Sequence, residues 1–339
     1  MNNQPTHILL SRTDSIGDVV LTLPLAGLLK KKYPGCRISF LGRNYTRPVI
    51  KLSQHIDQFE NWDDYEELRL PDQVQKLRNL QVDWIIHVFP NKKIATVAKK
   101  AGIKNRVGTS HRTFHWLNCN RPVSFSRRKS ELHEAQLNCK LLAPLNIEIP
   151  DLKLLENNYG FKRPSEGLEK VQTLIDQNKF NLVLHPKSKG SAREWGLDNF
   201  SRLIKLLPAD KYKIFISGTE NEAVQMNEFL KKHKNKIVNI TGQFSLPEFI
   251  TFLSLSDGIV AASTGPLHIA AALGRTAVGI YPPIKPMHPG RWAPIGKKAK
   301  VLVKEGDCND CRKTMDCYCI QEITPEQVKE VLLNAVAKP

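Results

Sequence analysis

The stretch GIVAASTGPLHIAAALGRTAVGIY, residues 258–281, carries a whole unit of fold. Residues 258–262 are short and apolar, which predicts a buried strand, and 277–281 predict another. Between them Ser263, Thr264 and Gly265 form a turn. Pro266 stands at about the first position of a helix over 266–273, where its missing N–H costs least. A strand, a crossover helix and a second strand make a parallel pair. The same alternation runs upstream through strands over 182–185, 212–217 and 237–240 and helices over 197–207, 220–233 and 246–255. The first half repeats it, with strands over 7–11, 37–41, 84–88 and 106–108 and helices over 18–32, 65–80 and 94–100. There a basic loop, Arg127-Arg128-Lys129, leads into a helix over 131–142. Residues 146–165 are rich in Pro, Asn and Gly without a clear period and predict a linker. The expected fold is therefore α/β: two Rossmann-like, doubly wound domains, 1–160 and 161–339, facing a central cleft at the carboxyl ends of both sheets.

The chain has 339 residues, 41% of them hydrophobic, which fits two domains with their own cores and excludes disordered, collagenous and disulfide-scaffold classes. No apolar run reaches the roughly 18–20 residues of a spanning helix, since 19–29 is interrupted by Pro24 and ends in Lys30-Lys31-Lys32. The first residues lack a basic segment followed by an apolar run, so a cytoplasmic address is expected. With 50 Lys+Arg against 33 Asp+Glu the net charge is +17, which asks for an anionic partner: nucleic acid, an acidic membrane surface or a phosphorylated substrate. Lys30 to Lys32, Lys92-Lys93, Lys99-Lys100 and Lys231-Lys232 fall at helix ends, where the expectation is a solvated partner of the helix dipole.

The strand-to-helix turns carry the chemistry. After the first strand, Ser11 to Asp18 contains neither GxGxxG nor a P-loop lysine, which lowers the case for NAD or ATP hydrolysis. Asp18 has two readings, a charge at a helix N-terminus or a general base. The turn from His185 to Trp195 combines hydroxyls with Lys187, Lys189 and Arg193, a composition suited to a diphosphate or to a solvated basic loop. Thr264 and Gly265 open a helix with no acidic residue in its first turn, which suits an anion.

Four segments, taken in order, resemble glycosyltransferase family 9, the bacterial heptosyltransferases of the lipopolysaccharide inner core. They are the strand-turn-helix over 8–32 with Ser15-Ile16-Gly17-Asp18, the loop His185-Pro186 to Arg193-Glu194-Trp195, Gly218-Thr219-Glu220-Asn221-Glu222, and Ser263 to His268 with the 270–274 stretch after it. The resemblance implies a GT-B type fold and an inverting, metal-independent transfer that needs no cofactor. The donor it implies is a nucleotide-sugar, ADP-heptose, and the acceptor a lipopolysaccharide core or related anionic glycolipid. By the same resemblance Asp18 is the catalytic base. Lys187, Ser188 and Arg193 hold the donor phosphates, Glu222 its ribose, and Thr264 and Gly265 give a second phosphate contact. His268 orients that turn. Ser263 stands where heptosyltransferases often carry Asp against sugar hydroxyls, which puts the donor sugar in question. His133-Glu134 also resembles a position near the cleft. The first domain would bind the acceptor, and the second, with its C-terminal helix, the nucleotide-sugar.

The excess charge then reads as docking to an anionic glycolipid on the inner face of the cytoplasmic membrane, with the protein peripheral there. Two rivals remain: a nucleotide-sugar epimerase or phosphorylase on the same fold, and a basic nucleic-acid-binding protein. Against nucleic acid stands the lack of an aromatic-rich strand, a zinc-finger histidine pair or a recognition helix. Cys308-x2-Cys311-x5-Cys317-x-Cys319 leaves three readings open, a structural zinc site, reduced thiols or redox-formed bridges. No metal is expected in the chemistry.

Overall fold

The computed structural model describes residues 4–127, 129–306, 308, 311 and 317–336, so Arg128 of the basic loop lies outside it. The chain divides into two compact units, Met1–Lys162 and Arg163–Pro339. The first contains β1 (His7–Ser11), β2 (Arg37–Gly42), β3 (Gln58–Asn61), β4 (Trp84–His87), β5 (Asn105–Thr109) and β6 (Arg121–Val123). All pair in parallel in the order β3-β2-β1-β4-β5-β6, with Leu9 of β1 opposite Ser39 of β2 and Ile85 of β4. The second contains β7 (Phe180–His185), β8 (Tyr212–Ile216), β9 (Val238–Asn239), β10 (Gly258–Ala262), β11 (Thr276–Tyr281) and β12 (Ala299–Val303), in the order β12-β11-β10-β7-β8-β9. Read from the other edge, that is the same order as in the first sheet. In each sheet the first and fourth strands are neighbours, and the crevice outside their carboxyl ends is where a doubly wound fold binds ligands.

The central strands are apolar throughout because helices cover both of their faces. Ile8, Leu9 and Leu10, Ile85 and Ile86, and Leu182, Val183 and Leu184 are fully buried. The strands beyond the sequence pattern are β3, β6 and β12, and each is an edge. An edge strand is covered on fewer sides, so it is not driven to the continuous apolar run that marks its neighbours. Pro122 sits in β6 for the same reason, since an edge has an N–H side with no ladder to complete.

The expected helix over 18–32 is two, Ile16–Val20 and Pro24–Lys32, because proline has no N–H for the ladder and clashes one turn back. The helix expected over 131–142 begins later, as Glu134–Lys140. The expected linker contains short helical turns, Leu152–Leu155 and Glu156–Asn158, the second packed so closely on Gly27 that a Cβ there would lie 2.3 Å from the Asn158 carbonyl. One charge reading is corrected. Lys92 and Lys93 open the helix Lys92–Lys100, where positive charge opposes the dipole, while Lys30 to Lys32, Lys99, Lys100, Lys231 and Lys232 occupy last turns as expected. Among the described residues no helix is long and apolar enough to cross a membrane.

Candidate active site

In the first unit the site grows from the end of β1. Arg12 follows the last strand residue, and its N–H donates to the Leu41 carbonyl of β2 at 3.0 Å, which keeps it inside the protein at 3% exposure. Its guanidinium meets three carboxylates. Nε and Nη2 hold Asp14 at 2.7 and 2.9 Å, Nη2 also donates to Asp18 Oδ1, and Nη1 reaches Glu134 Oε1 at 3.3 Å and Asn138 Oδ1 at 3.1 Å. Arg127 adds a second cation, with Nε 3.0 Å from Glu134 Oε1 and Nη2 on Asn138 Oδ1 and on the Val88 carbonyl just past β4. Two guanidinium groups thus face three carboxylates. Burial alone would lower the Arg12 pKa, but Asp14, Asp18 and Glu134 outweigh it and push it up, so the side chain stays charged. Asp14 is raised by its own burial, against the pull of Arg12 and with a smaller push from Asp18.

Asp18 lies on the turn of helix that Ser15 opens and is partly exposed, as are Asp14 and Arg127, while Arg12 and Glu134 are buried. Ser15 Oγ donates to its Oδ2 while Arg12 holds Oδ1. Each oxygen therefore accepts one bond and keeps a lone pair for an incoming hydroxyl. The rotamer is fixed from both sides. His133 caps the helix Glu134–Lys140, its Nδ1 accepting the Ala135 N–H at 3.2 Å, and so sets Glu134 against the two arginines. The sequence singled out Asp18 and the His133-Glu134 pair. Arg12, Asp14 and Asn138 escaped it, and Arg127 was read only as part of a basic loop, although an arginine directly after an apolar strand is a signal that a buried partner exists.

In the second unit the loops after β7, β8 and β10 adjoin at the ends of neighbouring strands. Glu194 organises the first: it accepts from Lys187 Nζ at 2.6 Å, from the Ser188 N–H at 3.0 Å and from Ser188 Oγ at 3.2 Å. Lys189 and Gly190 turn the chain in the left-handed region, at φ of 50° and 77°, and leave Lys189 as the exposed cation of the loop. Arg193 is buried, with Nη2 3.3 Å from the Cys311 carbonyl. His185 Nδ1 and Ser217 Oγ, 2.9 Å apart, tie the ends of β7 and β8 together, and burial lowers the His185 pKa despite Glu222 and Glu194 nearby.

Glu222 is committed to a capping box, with Oε2 accepting from the Thr219 N–H at 2.7 Å and from Thr219 Oγ1 at 3.0 Å. Past β10, Ser263 leads into the next turn, and the Tyr281 hydroxyl of β11 donates to the Trp292 carbonyl at 2.7 Å. Thr264 is the N-cap of the helix Gly265–Ala272, yet its side chain makes no cap bond, and Oγ1 is buried without a partner. Gly265 opens the first turn, which holds no acid, and His268 is buried one turn in. A buried, unpartnered hydroxyl at a helix start with no acid in its first turn is chemically suited to an oxyanion.

Residues 72–319 match the glycosyltransferase family 9 (heptosyltransferase) model. The chain belongs to glycosyltransferase family 9. A Haemophilus influenzae protein assigned no more finely than as a glycosyltransferase is 27% identical over 309 residues, 85% of this chain and 86% of its own. The lipooligosaccharide heptosyltransferase 2 of the same species is 23% identical over 98% of this chain and all of its own. Among solved structures, the Escherichia coli ADP-heptose lipopolysaccharide heptosyltransferase II superposes with a TM-score of 0.76 over 98% of both chains at 18% identity. This family 9 enzyme thus shares the GT-B fold of heptosyltransferases, with one six-stranded parallel sheet in each unit.

Proposed function

We propose that the protein moves heptose from ADP-heptose onto a lipopolysaccharide core or related anionic glycolipid, with inversion and without a metal, using Asp18 as the base. The observation that carries this is the Asp18 carboxylate, fixed by Arg12 and Ser15 at the carboxyl end of β1 with a lone pair left on each oxygen. Asp18 takes the proton of the acceptor hydroxyl as that oxygen bonds to the anomeric carbon. The bond from that carbon to the diphosphate breaks on the opposite face, and ADP leaves with the electron pair. One displacement inverts the centre, and one carboxylate suffices because the diphosphate leaves unprotonated. Lys187, Ser188 and Arg193, with Thr264 and Gly265, stabilise the developing charge. Lys187 exchanges Glu194 for phosphate as it does so. Glu222 receives the ribose, and His268 holds the turn. The first unit binds acceptor and the second binds donor. ADP-heptose as donor rests on the relatives, and Ser263, where heptosyltransferases often carry Asp, is the position at which the choice of sugar would be made. The protein works at the inner face of the cytoplasmic membrane, where its glycolipid is exposed.

A panel of nucleotide-sugars offered with heptose-deficient lipopolysaccharide tests the donor, read as ADP release and as product mass. The Asp18→Asn variant tests the base. Loss of turnover by about two to four orders of magnitude with ADP affinity kept supports it, and turnover at the wild-type rate sinks it.

A further inference from the structure

We propose that Cys308, Cys311, Cys317 and Cys319 form a closed tetrathiolate site for a thiophilic metal ion, zinc in the first place, which fastens the C-terminal segment of the second unit to the loop carrying Arg193. The Sγ atoms of Cys308, Cys311 and Cys319 all lie within 4.8 Å of one another, while Cys317, buried two residues before Cys319, stands outside that group and would complete the set by turning its thiol inward. Tetrahedral zinc with bonds near 2.3 Å sets its sulfurs about 3.8 Å apart, so closure asks for shifts of about 1 Å from Cys308, Cys311 and Cys319 and a larger one from Cys317. The Cys311 N–H already donates to Cys308 Sγ at 3.4 Å, and such a donor stabilises a thiolate and orients it. Disulfides would split these sulfurs into pairs, whereas a metal uses the common point toward which those of Cys308, Cys311 and Cys319 converge. Four sulfur ligands in a tetrahedron select zinc or iron over harder ions, and with no open position the metal has a structural role.

The segment has reason to need such a staple. Between β12 and the helix Pro325–Val336 the described residues hold one helical turn, Tyr318–Gln321, and no strand. Around it the second unit supplies backbone-directed contacts: Trp195 Nε1 on the Ile323 carbonyl at 2.7 Å, Asn199 Nδ2 on the Gln321 carbonyl at 2.8 Å and the Cys308 N–H on the Pro283 carbonyl at 3.3 Å. The Arg193 bond to the Cys311 carbonyl belongs to this set, so the metal fixes the acceptor that seats a donor-phosphate arginine. The metal site stands apart from the transferase reading; its effect on Arg193 rests on that reading.

The test is elemental analysis of the full chain, purified under reducing conditions without chelator or added metal. One equivalent of zinc or of iron per chain is expected, released in step with four thiols when a mercurial is titrated in. Cys311→Ser should lose that metal, and Cys36→Ser, at a buried cysteine of the first unit, should keep it. Should Cys311→Ser fail to fold, the wild-type chain stripped and reloaded with cobalt is expected to give the intense visible bands of tetrahedral cobalt thiolate. A metal-free wild-type chain that takes up no cobalt under reducing conditions overturns the proposal, as does an intact mass showing bridges among these cysteines. Neither readout depends on the reaction the enzyme performs.

Discussion

Arg12 illustrates how one side chain fixes a site it does not itself form. It is buried and balanced by Asp14, Asp18 and Glu134, so removing it leaves carboxylates close together in a low-dielectric pocket. Arg12→Met should therefore lower stability by about 3–5 kcal/mol, the usual cost of breaking a buried charge network from one side. Urea unfolding checks this, and a loss below about 1 kcal/mol would mean that Arg127 compensates. Thr264 makes the opposite case. Its hydroxyl is buried and unpartnered in the free protein, so Thr264→Val, nearly the same shape, removes nothing that folding uses. The expected result is an unchanged or slightly higher thermal midpoint together with ADP affinity weakened about 10- to 100-fold, the worth of a hydrogen bond to a charged group. Calorimetry separates these, and full ADP affinity in the variant would remove Thr264 from the phosphate site.

At the level of elements, the ends of β1, β4, β7 and β10 matter most, because they flank the point where each sheet reverses its strand order. The last residue of β4, His87, is buried against His115 with no hydrogen-bond partner on either ring nitrogen. Burial chiefly, then His115 and Arg106, lowers its pKa to about 3 from 6.5. The folded state thus binds fewer protons than the unfolded chain between those values. The stabilisation is complete above pH 6.5 and is lost as pH falls towards 3. His87→Leu should flatten the acid limb of a plot of urea midpoint against pH, and an acid limb as steep as that of the wild type would assign the acid sensitivity to other groups. The core strands and the turns at their ends were legible in the sequence because burial on two faces leaves an unbroken apolar run. The edges β3, β6 and β12 were not, since half of each is free of that demand. Asp18 and Thr264 stood out for their place in strand-to-helix turns, whereas Glu134 and Asn138 reach Arg12 from 122 and 126 residues away, a proximity that no local pattern encodes.

For the whole molecule the excess of 17 positive charges divides into groups with different duties. Arg12, Arg127 and Arg193 are tied into the interior, Lys187 pairs with Glu194, and the lysines in last helical turns are favoured by the dipole they sit on. Lys92 and Lys93 fit none of these. Both are exposed in the first turn of their helix, where the dipole opposes them, and Lys129 is exposed in the basic loop of the same unit. Charge held against a local cost is what an external anion would offset, and under the function proposed above that anion would be the glycolipid surface. Each lysine near an anionic membrane is worth about 1 kcal/mol. Replacing Lys92 and Lys93 together by alanine should thus weaken binding to vesicles rich in anionic lipid by about 2 kcal/mol, roughly 30-fold. It should leave ADP affinity and the thermal midpoint unchanged. Co-sedimentation measures the partition, and raising the salt should erase the difference between variant and wild type by screening the exposed charges. Equal binding of the two proteins at low salt, or equal wild-type binding to neutral and anionic vesicles, would take these lysines out of membrane recognition.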